Sequence, residues 1–312
     1  MTIRPGIKDA LWMVPGGGLV LLIVLLVLYL HKDQKPAEQL AMKARRVDLV
    51  ARMETGLASA SEAEKSAVLA ITDHDSLTYA DQARKATVEV ERELQELGEF
   101  LKVDGTQGEK DLLARFTRIF AEFQSVDNDV LRLAVKNTNL KAYGLAFGPA
   151  ADAVTEMNTV LSHLVAVNAD SSEAKRVMLL AFDAQIAALR IQTLLPPHIA
   201  EESSAKMNEL ETLMVKEDAR IRKDLDGLAA LPRLSRSADL GTAVTRYARF
   251  GEIKAQILAL SRENTNIQSL AISLGRKRQV MFACQDSLSA LRQAILEEPI
   301  AGVTYGLPAK PR

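Results

Sequence analysis

The feature that most constrains the fold is a stretch that occurs twice. FAEFQSVDNDVLRLAVKNTNLKAYGLAFG, from Phe120, aligns without a gap with YARFGEIKAQILALSRENTNIQSLAISLG, from Tyr247. Each copy carries an Asn-Thr-Asn triplet, and apolar residues fall at matching places: Val126 with Ile253, Val130 with Ile257, Leu133 with Leu260, Leu140 with Ile267. Such repetition predicts two related helical modules sharing one core axis. In the second copy the apolar positions alternate by three and four, through Phe250, Ile253, Ile257 and Leu260 to Asn264, Ile267, Ala271 and Leu274. That seam predicts neighbouring helices at a shallow crossing angle, as in a left-handed bundle or coiled coil. Asn264 falls on the seam, as does its repeat mate Asn137. A polar side chain there sacrifices stability and fixes register or oligomeric state.

Composition agrees with an all-α chain. Aromatic residues make up 4% of the sequence, while Ala, Leu, Glu, Lys, Arg and Gln abound, which favours long helices packed by aliphatic side chains. The formal net charge of −1 supplies no field for a nucleic-acid partner. The lone Cys284 has no disulfide partner and reads as a small apolar core residue.

Ahead of the repeat, Leu11 to Leu30 read LWMVPGGGLVLLIVLLVLYL without a charge. As a helix this run covers roughly 30 Å, the hydrocarbon thickness of a bilayer, and predicts a transmembrane anchor in lipid. Lys32 and Asp33 follow in place of a small-residue cleavage site, which favours an uncleaved anchor over a signal peptide. Later apolar stretches, Leu179 to Leu195 and Leu258 to Leu274, are interrupted by Asp183 and Arg190 or by Arg262 and Glu263, so the expected topology is single-pass. Flanking positive charge favours a cytoplasmic C-terminal portion, a vote that large translocated domains override.

The expected organisation is an N-terminal segment 1–10, the membrane helix 11–30, a helical module over 36–148, a second over 149–297 and a flexible tail over 298–312. Pro36 starts the first helix after the anchor. Thr72 to Ser76 cap a second, which ends at Asp104 and Gly105. A third runs unbroken from Lys110 to Phe147. Later helices stop at Pro196 and Pro197 and near Leu228, and a last one runs from Asp239 to Glu297.

Three residues are candidate ligand contacts. Arg190 lies on an otherwise apolar helical stretch, and a guanidinium between bundle helices offers forked donors to a carboxylate; its structural alternative is a surface arginine lying along the bundle. His198 caps the next helix or meets a ligand, and Asn264 is a register device or a ligand donor. Asp73, His74 and Asp75 bear metal-capable groups, but three consecutive residues cannot converge on one ion from a regular helix, and neither a metal nor a cofactor is expected. Of the basic clusters, Arg276, Lys277 and Arg278 read as solvated, while Lys43, Arg45 and Arg46 lie close enough to the anchor to touch anionic headgroups. No phosphate-binding glycine loop, zinc helix or nucleophile elbow occurs in the sequence, and no residue takes a catalytic role; the chain reads as a non-enzyme.

Ser261 to Ile295 resembles the last helix of the four-helix-bundle sensor domain of bacterial methyl-accepting chemotaxis receptors, and Ala187 to Met214 is similar to the hairpin between that domain's first two helices. The resemblance covers mainly 187–295. It implies a bundle outside the cytoplasm that dimerises and binds small organic ligands between helices, and it tips the expected location to the periplasmic side of a bacterial inner membrane. Complete receptors continue through a second membrane helix into a methylated hairpin, whereas this sequence stops at Arg312, so signalling is expected to pass through a membrane partner. The alternative is a tethered coiled-coil scaffold with no small-molecule ligand.

Overall fold

The computed structural model describes the backbone of residues 14–300 and the side chains of residues 37–300. Its described elements are α1 (Val14–Leu69), α2 (Asp73–Asp104), α3 (Gln107–Ala134), α4 (Thr138–Phe147), α5 (Pro149–Val167), α6 (Ala174–Ala200), α7 (Ser204–Ala229), α8 (Ala238–Glu263), α9 (Thr265–Ile272) and α10 (Arg278–Glu297), with a π-helical turn, Ser273–Lys277, between the last two. The fold is all-α. Leu11 to Met13 of the apolar run and residues 301–312 of the tail lie outside the described residues, as do the side chains up to Pro36.

Two boundaries differ from expectation. Backbone helix continues through Pro36, and Pro196 and Pro197 lie inside the last turn of α6 rather than ending it. A proline's fixed φ is itself helical; what it forfeits is an N–H, and near a C-terminus little helix remains to be disrupted. The chain leaves helical geometry at Glu201, with ψ 136°.

Within the described residues the helices sort into two compact units, the first drawing on 14–59, 86–121 and 281–300, the second on 60–85 and 122–280. In the first, α1 buries Leu49, Met53 and Leu57, α2 buries Val90, Leu94, Leu97 and Leu101, α3 buries Phe116 and Phe120, and α10 buries Cys284, Leu288, Leu291 and Ile295. These residues recur at three- and four-residue steps, which makes one inward stripe on each helix.

Charged groups position the first unit's helices. Thr106 and Glu109 form a capping box at the start of α3: the Glu109 backbone N–H donates to Thr106 Oγ1 at 3.2 Å, and the Thr106 N–H donates to Glu109 Oε2 at 2.8 Å. The same carboxylate, 1% exposed, accepts from the Arg46 guanidinium at 3.3 Å, and Arg46 also reaches Glu298 at 2.7 Å. Lys43 donates to the carbonyl oxygens of Leu296 at 2.6 Å and Glu298 at 2.7 Å, satisfying acceptors that a helix end leaves open. Lys43 and Arg46 are therefore buried internal clamps, not the headgroup contacts their sequence position suggests. At Gly56 α1 approaches α2 closely: an added Cβ would stand 2.6 Å from Val90 Cγ2.

The second unit is centred on α5, α6, α7 and α8. Met157 and Leu161, Val177, Ile191 and Leu195, Met214, Ile221 and Leu225, and Phe250, Ile253 and Ile257 meet in one core, closed by Leu231 and Leu234 from the α7–α8 connection. Smaller clusters join the last turns of α1 to α2, α3 and α9: Ala67, Ala80, Ala83 and Leu131, and beside them Val68, Val130 and Ala134. Alanines on facing helices let the backbones approach without large side chains. Among the described residues α6 is long and apolar enough to cross a membrane by length and composition, yet its Ala181, Ala184, Ala188 and Ile191 are fully enclosed in this core.

Removing the buried cation tests the charge clamp. Arg46→Met leaves Glu109 enclosed without its partner, and such a loss costs about 3–5 kcal/mol, which will appear as a lowered urea midpoint and thermal transition. A variant as stable as the parent would show that the pair is solvated.

Candidate functional site

The unbroken helices expected over Lys110 to Phe147 and Asp239 to Glu297 are each interrupted at their Asn-Thr-Asn triplet. Asn137 and Asn264 both adopt φ 51° and ψ 38°, the left-handed region that asparagine enters more readily than other residues bearing a Cβ. They are the non-glycine residues with positive φ among the described residues. Both are buried, as seam positions require, but each sits at a break between helices.

The breaks face one another and bond reciprocally. Thr138 N–H donates to Thr265 Oγ1 at 3.2 Å, and Thr265 N–H donates to Thr138 Oγ1 at 3.1 Å. Asn139 N–H donates to Asn266 Oδ1 at 3.1 Å, and Asn266 N–H to Asn139 Oδ1 at 3.2 Å. Each triplet thereby satisfies N–H groups that the start of the other's following helix leaves without an intrahelical acceptor. The remaining amides complete the pattern. Asn266 Nδ2 donates to Asn137 Oδ1 at 3.0 Å, and Asn139 Nδ2 to Asn264 Oδ1 at 2.7 Å. Each left-handed asparagine also holds a helix hairpin: Asn137 donates to Asp73 at the start of α2, and Asn264 to the Glu201 carbonyl between α6 and α7, both at 3.0 Å.

His198 extends this junction. Its ring is fully buried, with Nδ1 2.8 Å from Ser261 Oγ and Nε2 2.8 Å from Glu211 Oε1. Arg262 Nε donates to the same Glu211 oxygen at 2.8 Å; the guanidinium, followed by the His198 hydrogen bond, holds the Glu211 carboxyl below its ordinary range. The C-terminal turn of α6 is thus tied to α7 and α8 at the position where Asn139 takes the Ile199 carbonyl.

A second buried polar group forms at the π-turn. Lys277, 1% exposed, pairs with Asp127 on α3, lies 3.9 Å from Glu64 Oε2 on α1 and stands 4.0 Å over the Phe123 ring. The π-turn adds a residue to the helical repeat and so redirects the side chains it contains; here it carries Lys277 inward while Arg276 stays exposed on Glu122. The cluster Arg276, Lys277 and Arg278 is therefore not uniformly solvated. Burial raises the Glu64 pKa, Lys277 opposing it, and burial raises that of Asp127, again against Lys277. Two enclosed carboxyls share one ammonium, and a proton retained on one of them is what burial favours.

The structure brings together three of the residues singled out in the sequence, Asn137, His198 and Asn264. Arg190 stands apart, 57% exposed and 3.3 Å from Glu217. Asp73 faces Asn137 and lies 3.3 Å from Lys141, while Asp75 caps its helix with Thr72. Among the described residues no group of His, Cys, Asp and Glu is placed to hold a metal ion. Sequence reading missed the inward roles of Lys277, which lies in the π-turn, and of Glu64 and Asp127, which meet it from α1 and α3.

Residues 52–177 match the family described as the four helix bundle sensory module for signal transduction. The match begins in α1 and covers α2 to α5, so this part of the chain is similar to the sensory modules of methyl-accepting chemotaxis receptors. It lies ahead of the 187–295 region to which the sequence resemblance points; the repeat connects the two, because 120–148 falls inside the matched span and aligns with 247–275. No relative is found among curated proteins.

Two outcomes follow from this geometry. Asn264→Gly keeps the left-handed backbone and loses the amide bonds, whereas Asn264→Leu loses them and puts there a bulkier side chain without asparagine's local hydrogen bonding, in a conformation that strains an ordinary L residue by about 1–2 kcal/mol. Both will lower the denaturation midpoint, the leucine variant more. For Glu64 the raised pKa means that the folded chain holds a proton to higher pH than the unfolded chain, so stability falls as pH rises from the unfolded carboxyl range through the folded pKa. Glu64→Gln removes that loss. Its thermal midpoint will exceed the parent's at neutral pH, and the difference will close as pH falls below roughly 4, where the parent's carboxyl becomes protonated in both states.

Proposed function

We propose that this chain is a membrane-anchored, non-catalytic sensor: the apolar run Leu11 to Leu30 holds it in a bacterial inner membrane, single-pass, with the helical units in the periplasm and a signalling partner in or beside the membrane. The match of residues 52–177 to a sensory four-helix bundle carries this reading. Two further features support it. The helices are joined by a buried polar junction whose central bonds are reciprocal, and charged groups are enclosed at Lys277. Both are elements that ligand binding elsewhere in the bundle can bias. We further propose that the 127-residue offset between bonded triplet partners reflects duplication of a helical module.

A sensor binds a ligand more tightly in one state than in another. A compound at about 100 times its dissociation constant stabilises the bound fold by roughly 2.7 kcal/mol, so a thermal-shift screen of organic acids, amino acids and aromatic carboxylates on the detergent-solubilised chain will find at least one that raises the transition. If none does while a protein partner co-purifies, the tethered scaffold replaces the sensor. A reporter fused after Arg312 tests location: activity confined to the cytoplasm rejects the proposed topology.

A further inference from the structure

Helix α6 is apolar on the wrong side as well as the right one. Its enclosed face is made largely of alanines, Ala181, Ala184, Ala187 and Ala188, whereas Leu179, Phe182, Ile186 and Leu189 are 54%, 44%, 44% and 46% exposed. These four follow one another at steps of three, four and three residues, the seam spacing that a second helix fills at a shallow angle. The charges beside the stripe are turned away from it by their partners on α7: Asp183 by Arg220 at 2.9 Å, and Arg190 by Glu217. Nothing in the described part of the chain covers this row.

We propose that the outward face of α6 is the surface through which two copies of this chain associate, side by side and in the same direction. A two-fold axis parallel to α6 stacks Leu179, Phe182, Ile186 and Leu189 on their counterparts. In that register Gln185 comes opposite the second copy's Arg190, and Met178 opposite its Asp183, so no like charges meet beside the central layers. Parallel alignment also lets both N-terminal segments enter one membrane; this clause rests on the proposed anchor. The exposed row is on the order of the few hundred Å2 of a monomer's largest apolar patch. Doubled in a self-contact and joined by its polar flanks, it reaches the roughly 1,000 Å2 that a specific interface needs.

Cysteine cross-linking of the full chain in its membrane tests the surface. Phe182→Cys and Ile186→Cys, each made singly and treated with a mild oxidant, will give covalent dimers in high yield, while Val244→Cys on α8, at a position 45% exposed, will give little. Equal cross-linking at Val244→Cys, or none at either seam position, overturns the proposal. So does a seam cysteine that stays uncross-linked yet is shielded from a water-soluble thiol reagent, which marks lipid as the occupant. In detergent, Ile186→Glu will convert the dimer to a monomer in sedimentation; a dimer that persists also overturns it. The ligand-induced thermal shift, measured on Ile186→Glu, keeps the two readings apart: a shift retained there leaves the sensor standing whatever becomes of the interface.

Discussion

The reciprocal pairing of two Asn-Thr-Asn triplets is the interaction on which the second unit's arrangement depends. A helix that stops inside a protein leaves backbone donors without acceptors, and enclosing them unsatisfied is costly. Here two interrupted helices meet, and each supplies the hydroxyl and amide oxygens that the other's next helix lacks. Neither break is affordable alone. The left-handed asparagines serve the same requirement, since in that backbone turn each amide reaches both the opposing triplet and a hairpin. Four hairpin and helix ends are thereby brought to one place.

Away from the junction, packing is done by small and aliphatic side chains, and specificity comes from a few enclosed charges. Arg46 meets a carboxylate that already closes a capping box, so the pair is oriented by local structure before the helices pack. Lys277 differs. Its two carboxyl neighbours are both enclosed, and Glu64 stands 3.9 Å from the ammonium, beyond direct hydrogen-bond reach. A buried pair with fixed geometry adds definition to a fold, while burial of a second carboxyl beside one ammonium favours its protonated form. Tyr247 illustrates the quieter case: its hydroxyl donates to Asp218 at 2.7 Å, and burial together with that carboxylate pushes its pKa well up.

Much of this was legible in the chain. The low aromatic content and three-four spacing gave the helices, Thr72 and Asp75 the start of α2, and the aligned triplets the importance of Asn137 and Asn264. Periodicity could not reveal that the triplets are breaks, because Leu133, Asn137 and Leu140 keep the seam spacing across the interruption. Pro196 and Pro197 do not stop α6, because their missing N–H groups fall near its end, where few bonds remain to be lost. His198 was marked for its chemistry, but its partners Ser261 and Glu211 come from α8 and α7 and have no adjacency in sequence. The same holds for Lys277, hidden among basic neighbours that remain in water.

In the proposed periplasmic topology, the two-sided apolar character of α6 bears on how the chain is exported. A segment this hydrophobic, following an apolar run at the amino terminus, presents translocation machinery with a second opportunity to release helix sideways into lipid. Asp183 and Arg190 stand against that release, since an acidic or basic side chain near the middle of a helix costs about 2.5–3.5 kcal/mol on an insertion scale. The ion pairs they later make with Arg220 and Glu217 would then be the second task of residues whose first is topogenic, keeping α6 on the aqueous side until a packed core claims it.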